Sequence, residues 1–310
     1  MTHREFIGFF LKIKSQKIAE LTLNSYKQCL KKYLPENELL EDLDIFKAQE
    51  IMFKMENLSK ATQRRNLTIL TQYYEYAKKY QICAKNPFKD VERPILTKTN
   101  VLQYAINEKE LSKLLFAINK LPILWQSFFI LSLDSGARRG EVLAICWNDI
   151  DFMQKTIIIK HSAYCSGETK IKEPKGKKER IIHLSEYTIN KLQKVKNIQK
   201  KEALKKGAQW LNSNYVFSKN GQKPFNPSTV THTWQKFIKS NKLSHHRLHD
   251  LRHTCATMLL NKNIDVNTVR LRLGHSQLST TMLYIHSQQD IMAATIISNI
   301  FTDYHWAGSC

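Results

Sequence analysis

Three short stretches hold residues whose types and spacing could do chemistry together. In LGHSQLSTTMLYIHS, Leu273 to Ser287, a Gly-His pair stands nine residues ahead of Tyr284. A buried tyrosine needs no such neighbour. A nucleophilic one does, because a phenol with a pKa near ~10 must be activated to attack at neutral pH. In HHRLHDLRHTCATMLL, His249 and Arg252 are three apart, so on a helix they share a face, with His253 one turn beyond His249. In SLDSGARRGEVLAICW, Arg138 and Arg139 follow the glycine break at Gly136. An arginine there can project into a cleft while Glu141, one turn on, holds its guanidinium.

Each stretch has a plainer alternative. The Arg138–Glu141 spacing also fits a surface ion pair of little consequence. HDLRH is one methylene short of the H-E-x-x-H zinc motif, with His249 and His253 four apart and His275 available as a third ligand. Against zinc, Asp250 is a short base and Arg252 would set a fixed positive charge beside a dication. No metal site is expected.

These residues need elements to hold them. TLNSYKQCLKKYL and ATQRRNLTILTQYYEYAKKYQI both carry apolar residues at three- and four-residue steps, which predicts helices. In the second, Leu67, Leu70, Tyr73, Tyr74 and Ala77 form the inward stripe, and Ser59 or Thr62 can cap it. Asn86-Pro87 and Arg93-Pro94 then break the pattern. The expected division is a helical domain over 1–93, a linker over 94–100 and a second domain over 101–310. Within the second domain NEKELSKLLFAINKL predicts an amphipathic helix, and the stretch through SGARRGEV a helix pair broken at Ser-Gly. TIIIK and ERIIHL predict short strands flanking a basic turn, in which Lys175 and Gly176 stand. Leu248, Leu251, Cys255, Met258 and Leu259 are the expected buried side of the His249 helix, and a last amphipathic helix is expected over 287–303. The class is mainly α with a small β-sheet.

Taken in order, Arg…Lys…His-x-x-Arg…Gly-His…Tyr resembles the tyrosine site-specific recombinases, the phage-integrase family. The resemblance is strongest from SGARRGEVLAI through HDLRHTCATMLL to LGHSQLSTTMLYIH. It implies an N-terminal helical core-binding domain and a mixed α/β catalytic domain. By position Arg138 matches the first catalytic arginine, Lys175 the hairpin lysine, His249 and Arg252 the His-x-x-Arg pair, His275 the second histidine and Tyr284 the nucleophile. The pattern selects Arg138 over Arg139, while Lys170, Lys172, Lys177 and Lys178 crowd Lys175. Arg64, Arg65, Lys177 and Lys178 are expected on the DNA. The same resemblance implies an enzyme that cuts and rejoins duplex DNA through a 3′-phosphotyrosyl bond, with no cofactor, no metal and no ATP. It would work as a homotetramer on two sites, for a phage or other mobile element. The Xer type that resolves chromosome dimers is the nearest alternative; a type IB topoisomerase and a non-catalytic DNA-binding regulator lie further off. The additional N-terminal arm-site module of many phage integrases is expected to be missing.

Charge agrees with a polyanionic partner. Forty-eight Lys and Arg against 27 Asp and Glu give a net charge of +21. Up to Ile95 there are 17 basic and 12 acidic residues, which leaves 31 and 15 beyond it, and the larger part carries +16. A field of that sign and spread suits nucleic acid, though a lysine-rich solvated surface gives the same total. The six cysteines form no C-x-x-C pair. With no signal peptide and no apolar run long enough to span a bilayer, a cytoplasmic protein without a membrane partner is expected.

Overall fold

The computed structural model describes residues 1–96, 104–173, 179–206, 214–218 and 223–275. The chain divides into two units, Met1–Thr99 and Asn100–Cys310, each with its own apolar core.

Four helices build the first unit: α1 (His3–Ser15), α2 (Glu20–Tyr33), α3 (Ile45–Phe53) and α4 (Lys60–Lys79). A reciprocal cap starts α1. Thr2 Oγ1 accepts from the Glu5 N–H, and the Glu5 carboxylate accepts from the Thr2 N–H. Ser59 caps α4 by accepting from the Thr62 N–H. The α4 stripe Leu67, Leu70, Tyr73, Tyr74 and Ala77 is buried, as its spacing requires. Phe6 and Phe10 of α1 meet Tyr73, with ring centroids 5.0 and 5.3 Å away. The His3 ring nitrogens lie 3.2 and 3.3 Å from the Tyr73 and Tyr74 hydroxyls. Burial there pushes His3 down to about 4, so its imidazole is neutral at pH 7.

In the second unit α5 (Glu108–Ile118) is capped by Asn107, and α6 (Ile123–Ser135) is apolar on nearly every side. Such a helix belongs inside, and Ser127 to Ser132 are buried without a break. A short helix, α7 (Arg139–Leu143), leads to a three-stranded antiparallel sheet. Its strands are β1 (Ile150–Asp151), β2 (Thr156–Ile159) and β5 (Arg180–His183), in the order β1-β2-β5, with Ile157 opposite Ile182.

The stretch expected as a basic turn contains a hairpin of its own. β3 (Ser162–Ser166) and β4 (Glu168–Lys172) pair around Gly167, whose φ of 73° a glycine takes without strain. Glu168, Lys170 and Lys172 are polar, so β4 has too little apolar content to announce a strand.

Four more helices complete the described chain: α8 (Glu186–Lys206), α9 (Pro227–Ser240), α10 (Asp250–Asn261) and α11 (Val266–Leu273). Trp234 of α9 packs 4.9 Å from Phe129 and donates to the His246 carbonyl, which fixes the chain entering α10. Ala256, Leu260, Val269 and Leu273 join α10 to α11. Between them Asn263 takes φ 59°, a conformation asparagine tolerates. Met258, expected inside, is 43% exposed because it lies off the α10 face that packs.

Among the described residues no helix is long and apolar enough to cross a membrane. The helix expected over 287–303 and most of the 94–100 linker lie outside the described residues.

Candidate active site

Arg138 owes its place to how α6 ends. Gly136 caps the helix in the left-handed region at φ 61°. A Cβ there would lie 2.5 Å from Leu273 Cδ2 and 3.1 Å from Cys255 Sγ, so the turn rests directly on α10 and α11. Arg138 is then extended and α7 begins. Its backbone N–H donates to Glu141 Oε2 at 2.9 Å, and its Nη1 donates to Glu141 Oε1 at 3.0 Å. Glu141 therefore does hold the Arg138 guanidinium. Its carboxylate is 1% exposed and also accepts from Arg180 Nη2 at 2.6 Å. Burial would raise the Glu141 pKa, but Arg180 and Arg138 outweigh it and hold the group below its usual value. Arg139 takes another direction and donates to the Thr231 hydroxyl. Gly140 next to it has no room for a side chain: a Cβ would lie 2.4 Å from the Ala163 carbonyl oxygen of β3.

The second arginine comes up from beneath. Arg252, 3% exposed on α10, donates Nη1 to the Gly136 carbonyl at 2.6 Å, tying α10 to the Arg138 turn. His249 stands at the N-terminal boundary of α10. Burial pushes it down to about 4, helped by His253, Arg252 and Arg138. Its ring centroid is 5.0 Å from that of His253. Asp250, the base of the zinc alternative, is 3% exposed and engaged with Arg247, accepting from its backbone N–H at 2.7 Å and its Nη2 at 3.0 Å. Among the described residues no group of three His, Cys, Asp or Glu is placed to hold a metal ion.

His275 lies just past the left-handed cap of α11 at Gly274, φ 70°, and its N–H donates to the Arg270 carbonyl. It is buried. That burial, with the charges of Arg252, Arg138 and Arg180, pushes it down to about 4. Both imidazoles are thus neutral at pH 7, each with one nitrogen able to accept and one able to donate.

Arg138 and His249 line an open cleft of about 620 Å³ together with Arg139, Lys172 and Arg247, and among the described residues no carboxylate lines it. Two arginines and two neutral histidines, gathered from separate places in the chain, make a site for an anion beside proton acceptors and donors. Lys175, Lys177, Lys178 and Tyr284 lie outside the described residues. Arg64 and Arg65 are exposed on α4, in the first unit.

Arg180 and Arg272 were not anticipated from the sequence. Arg272 Nη2 donates to the Asp134 carbonyl and carboxylate at 2.8 and 3.0 Å, holding α11 to the end of α6. A signal for Arg180 existed. In β5 it shares the parity of buried Ile182, whereas Ile181 is 64% exposed, so the arginine points where a core residue would.

The model of the phage integrase family matches residues 105–290, well over half of the chain and through Tyr284. The chain belongs to the phage integrase family. Like others of these tyrosine recombinases, it is similar to a tyrosine recombinase XerC of Pediococcus pentosaceus, 29% identical over 235 residues that cover 74% of this chain and 72% of that one. In fold it resembles the Tn1549 transposon integrase in complex with transposon right end DNA, with a TM-score of 0.76 and 18% identity over 94% of this chain and 100% of that one. It also resembles a lambda integrase tetramer bound to a Holliday junction, with a TM-score of 0.69 and 17% identity over 91% of this recombinase and 77% of the other.

Proposed function

We propose that this recombinase integrates or excises a phage or other mobile element in the cytoplasm, by cutting and rejoining specific duplex DNA sites as a homotetramer. The observation that carries the reading is the convergence of Arg138, Arg252, His249 and His275. Arg138 and Arg252 clamp the non-bridging oxygens of the scissile phosphate and stabilise the charge that builds on them. His249 accepts the phenolic proton as Tyr284 attacks phosphorus, and His275 donates a hydrogen bond to a phosphate oxygen. The P–O5′ bond breaks, Lys175 supplies the proton to the leaving 5′ oxygen, and the energy of the broken ester is kept in the phosphotyrosyl bond. Rejoining is the same path reversed, so neither a nucleotide nor a metal is consumed. The DNA-bound transposon and lambda integrases support the partner, the tetramer and the mobile-element assignment. The XerC relative supports a second reading, resolution of chromosome dimers. The exposed Arg64 and Arg65 are assigned to backbone contacts in the first domain, and Lys177 and Lys178 to contacts near the cut.

The test is covalent capture. Wild-type protein incubated with fragments of its source genome should leave denaturant-stable adducts, and the sequence of the attached DNA separates an element's ends from a chromosomal resolution site. Tyr284→Phe should bind the same fragments and leave none. An adduct that persists in Tyr284→Phe places the nucleophile elsewhere, and one that needs zinc after chelation revives the HDLRH metal site.

A further inference from the structure

We propose that Arg180 is a positioning residue for DNA cleavage, whose single guanidinium fixes the placement of both Arg138 and His275. The proposal deepens the functional reading above and rests on it.

Arg180 opens β5, directly after the segment that carries Lys175, and its side chain is only 11% exposed. Three separate attachments spread over its planar head. Nη2 donates to Glu141 Oε2 at 2.6 Å, and that carboxylate is the group that orients the backbone and guanidinium of Arg138. Nε donates to the Arg272 carbonyl at 2.9 Å, near the end of α11. The guanidinium also lies against Gly274, the residue before His275. A Cβ on Gly274 would sit 2.8 Å from Nη1, 2.9 Å from Cζ and 3.1 Å from Nε.

One rigid group therefore touches the Arg138 turn, the His275 turn and the strand leaving the lysine segment. A pairwise ion bridge would need only the Glu141 contact. The carbonyl bond and the face laid on Gly274 are what a planar fork adds, and an ammonium cannot reproduce them. Arg180 also joins Arg252, Arg138 and His253 as the charged and titratable groups acting on His275. Its loss should therefore be felt at His275 as well as at Arg138.

The experiment compares wild type, Arg180→Gln and Arg180→Lys as full-length proteins, well below their melting temperatures. The His275 titration is followed by NMR of labelled histidine without DNA, and adduct formation is timed on captured DNA at saturating protein. In Arg180→Gln the His275 midpoint should rise toward 6.5, since a repelling charge is gone and Gly274 is no longer held. Adduct formation should slow by roughly 10–100-fold, the usual size for a residue that orients a reacting group, with DNA affinity changed by less than about threefold. A loss of stability that leaves the His275 turn packed lowers the melting temperature without moving that midpoint. If Arg180→Gln does not fold, Arg180→Lys decides: it retains the charge for Glu141 and should still cleave about tenfold slowly or worse. Wild-type cleavage in Arg180→Lys, or an unmoved His275 midpoint with normal cleavage in Arg180→Gln, overturns the proposal. If wild type itself forms no adduct, the functional reading has failed, and the NMR result still reports on the placement of His275.

Discussion

Arg138 and Arg252 reach the site by different routes, which separates what their loss does. Arg252 is 3% exposed and bonded to the Gly136 carbonyl, so truncating it disturbs the fold as well as the chemistry. Arg138 is about one-third exposed and anchored by Glu141, so it can be changed with the fold intact. Arg138→Lys should therefore lower the rate of adduct formation on the order of 10²–10³-fold, as for loss of one oxyanion-type donor. Binding should weaken far less, as measured by gel shift beside the denaturing gel. Near-normal cleavage by that variant would sink the two-arginine clamp. The histidines give a second test. His249 and His275 stand at about 4 instead of 6.5, so both stay neutral as the pH falls through 6.5. The adduct rate at low DNA concentration reports the free protein, and it should hold from pH 8 to below 6 and fall only beyond that. A half-loss at pH 6.5 would mean an ordinary imidazole. The same depression has a stability sign. The unfolded chain takes up protons at His3, His249 and His275 near 6.5, before the folded one does near 4. Stability from these groups is complete above 6.5 and lost as the pH falls through about 4, so the melting temperature should be lower at pH 5 than at pH 7.5.

Elements set the next level of constraint, and two glycines on helices make the contrast. Gly140 in α7 faces the Ala163 carbonyl with no space for a Cβ, whereas Gly8 in α1 has nothing within 4 Å of where a Cβ would go. Gly8→Ala should stabilise the protein by about 0.5–1 kcal/mol, the usual gain of alanine over glycine inside a helix. Gly140→Ala should destabilise it by about 1–3 kcal/mol by forcing α7 off β3, and should slow cleavage because Arg138 and Glu141 move with α7. Thermal melts and adduct kinetics on the pair check both signs. Periodicity explains why much of this level was legible. The α4 stripe and the break at Gly136 come from spacing and from the one residue type that takes φ 61° cheaply. The β3–β4 hairpin was missed because its second strand is nearly all polar. In the candidate site, the local Arg138–Glu141 contact could be anticipated at three-residue spacing. The bonds from Arg252 to Gly136 and from Arg180 to Glu141 span 116 and 39 residues, and no local pattern encodes a contact made by tertiary packing.

Over the whole molecule, charge and core are distributed differently. The first domain, Met1–Thr99, holds a core that among the described residues runs from Phe6 to Val91, and it carries +6 of the net charge of +21. The second holds a separate core, the cleft lined by Arg138 and His249, and the remaining +15. Phosphate contacts release counterions, so affinity should depend steeply on salt, losing roughly 10³–10⁵ between 50 and 200 mM if six to ten phosphates are held. The first domain's share of that dependence can be isolated at Arg64 and Arg65. Both are exposed on α4 of the first unit. Changing each to alanine in a Tyr284→Phe background, where binding is uncoupled from cutting, should reduce the slope of log K against log salt by about 1 per residue. Restored to Tyr284, the same two substitutions should leave the adduct rate at saturating protein within about twofold, because a phosphate contact that only holds the DNA lowers occupancy and not the chemical step. An unchanged slope would remove α4 from the DNA surface. A slope reduced together with a slower saturated step would instead mean that the first domain helps to align the scissile phosphate with Arg138, and does more than hold the duplex in place.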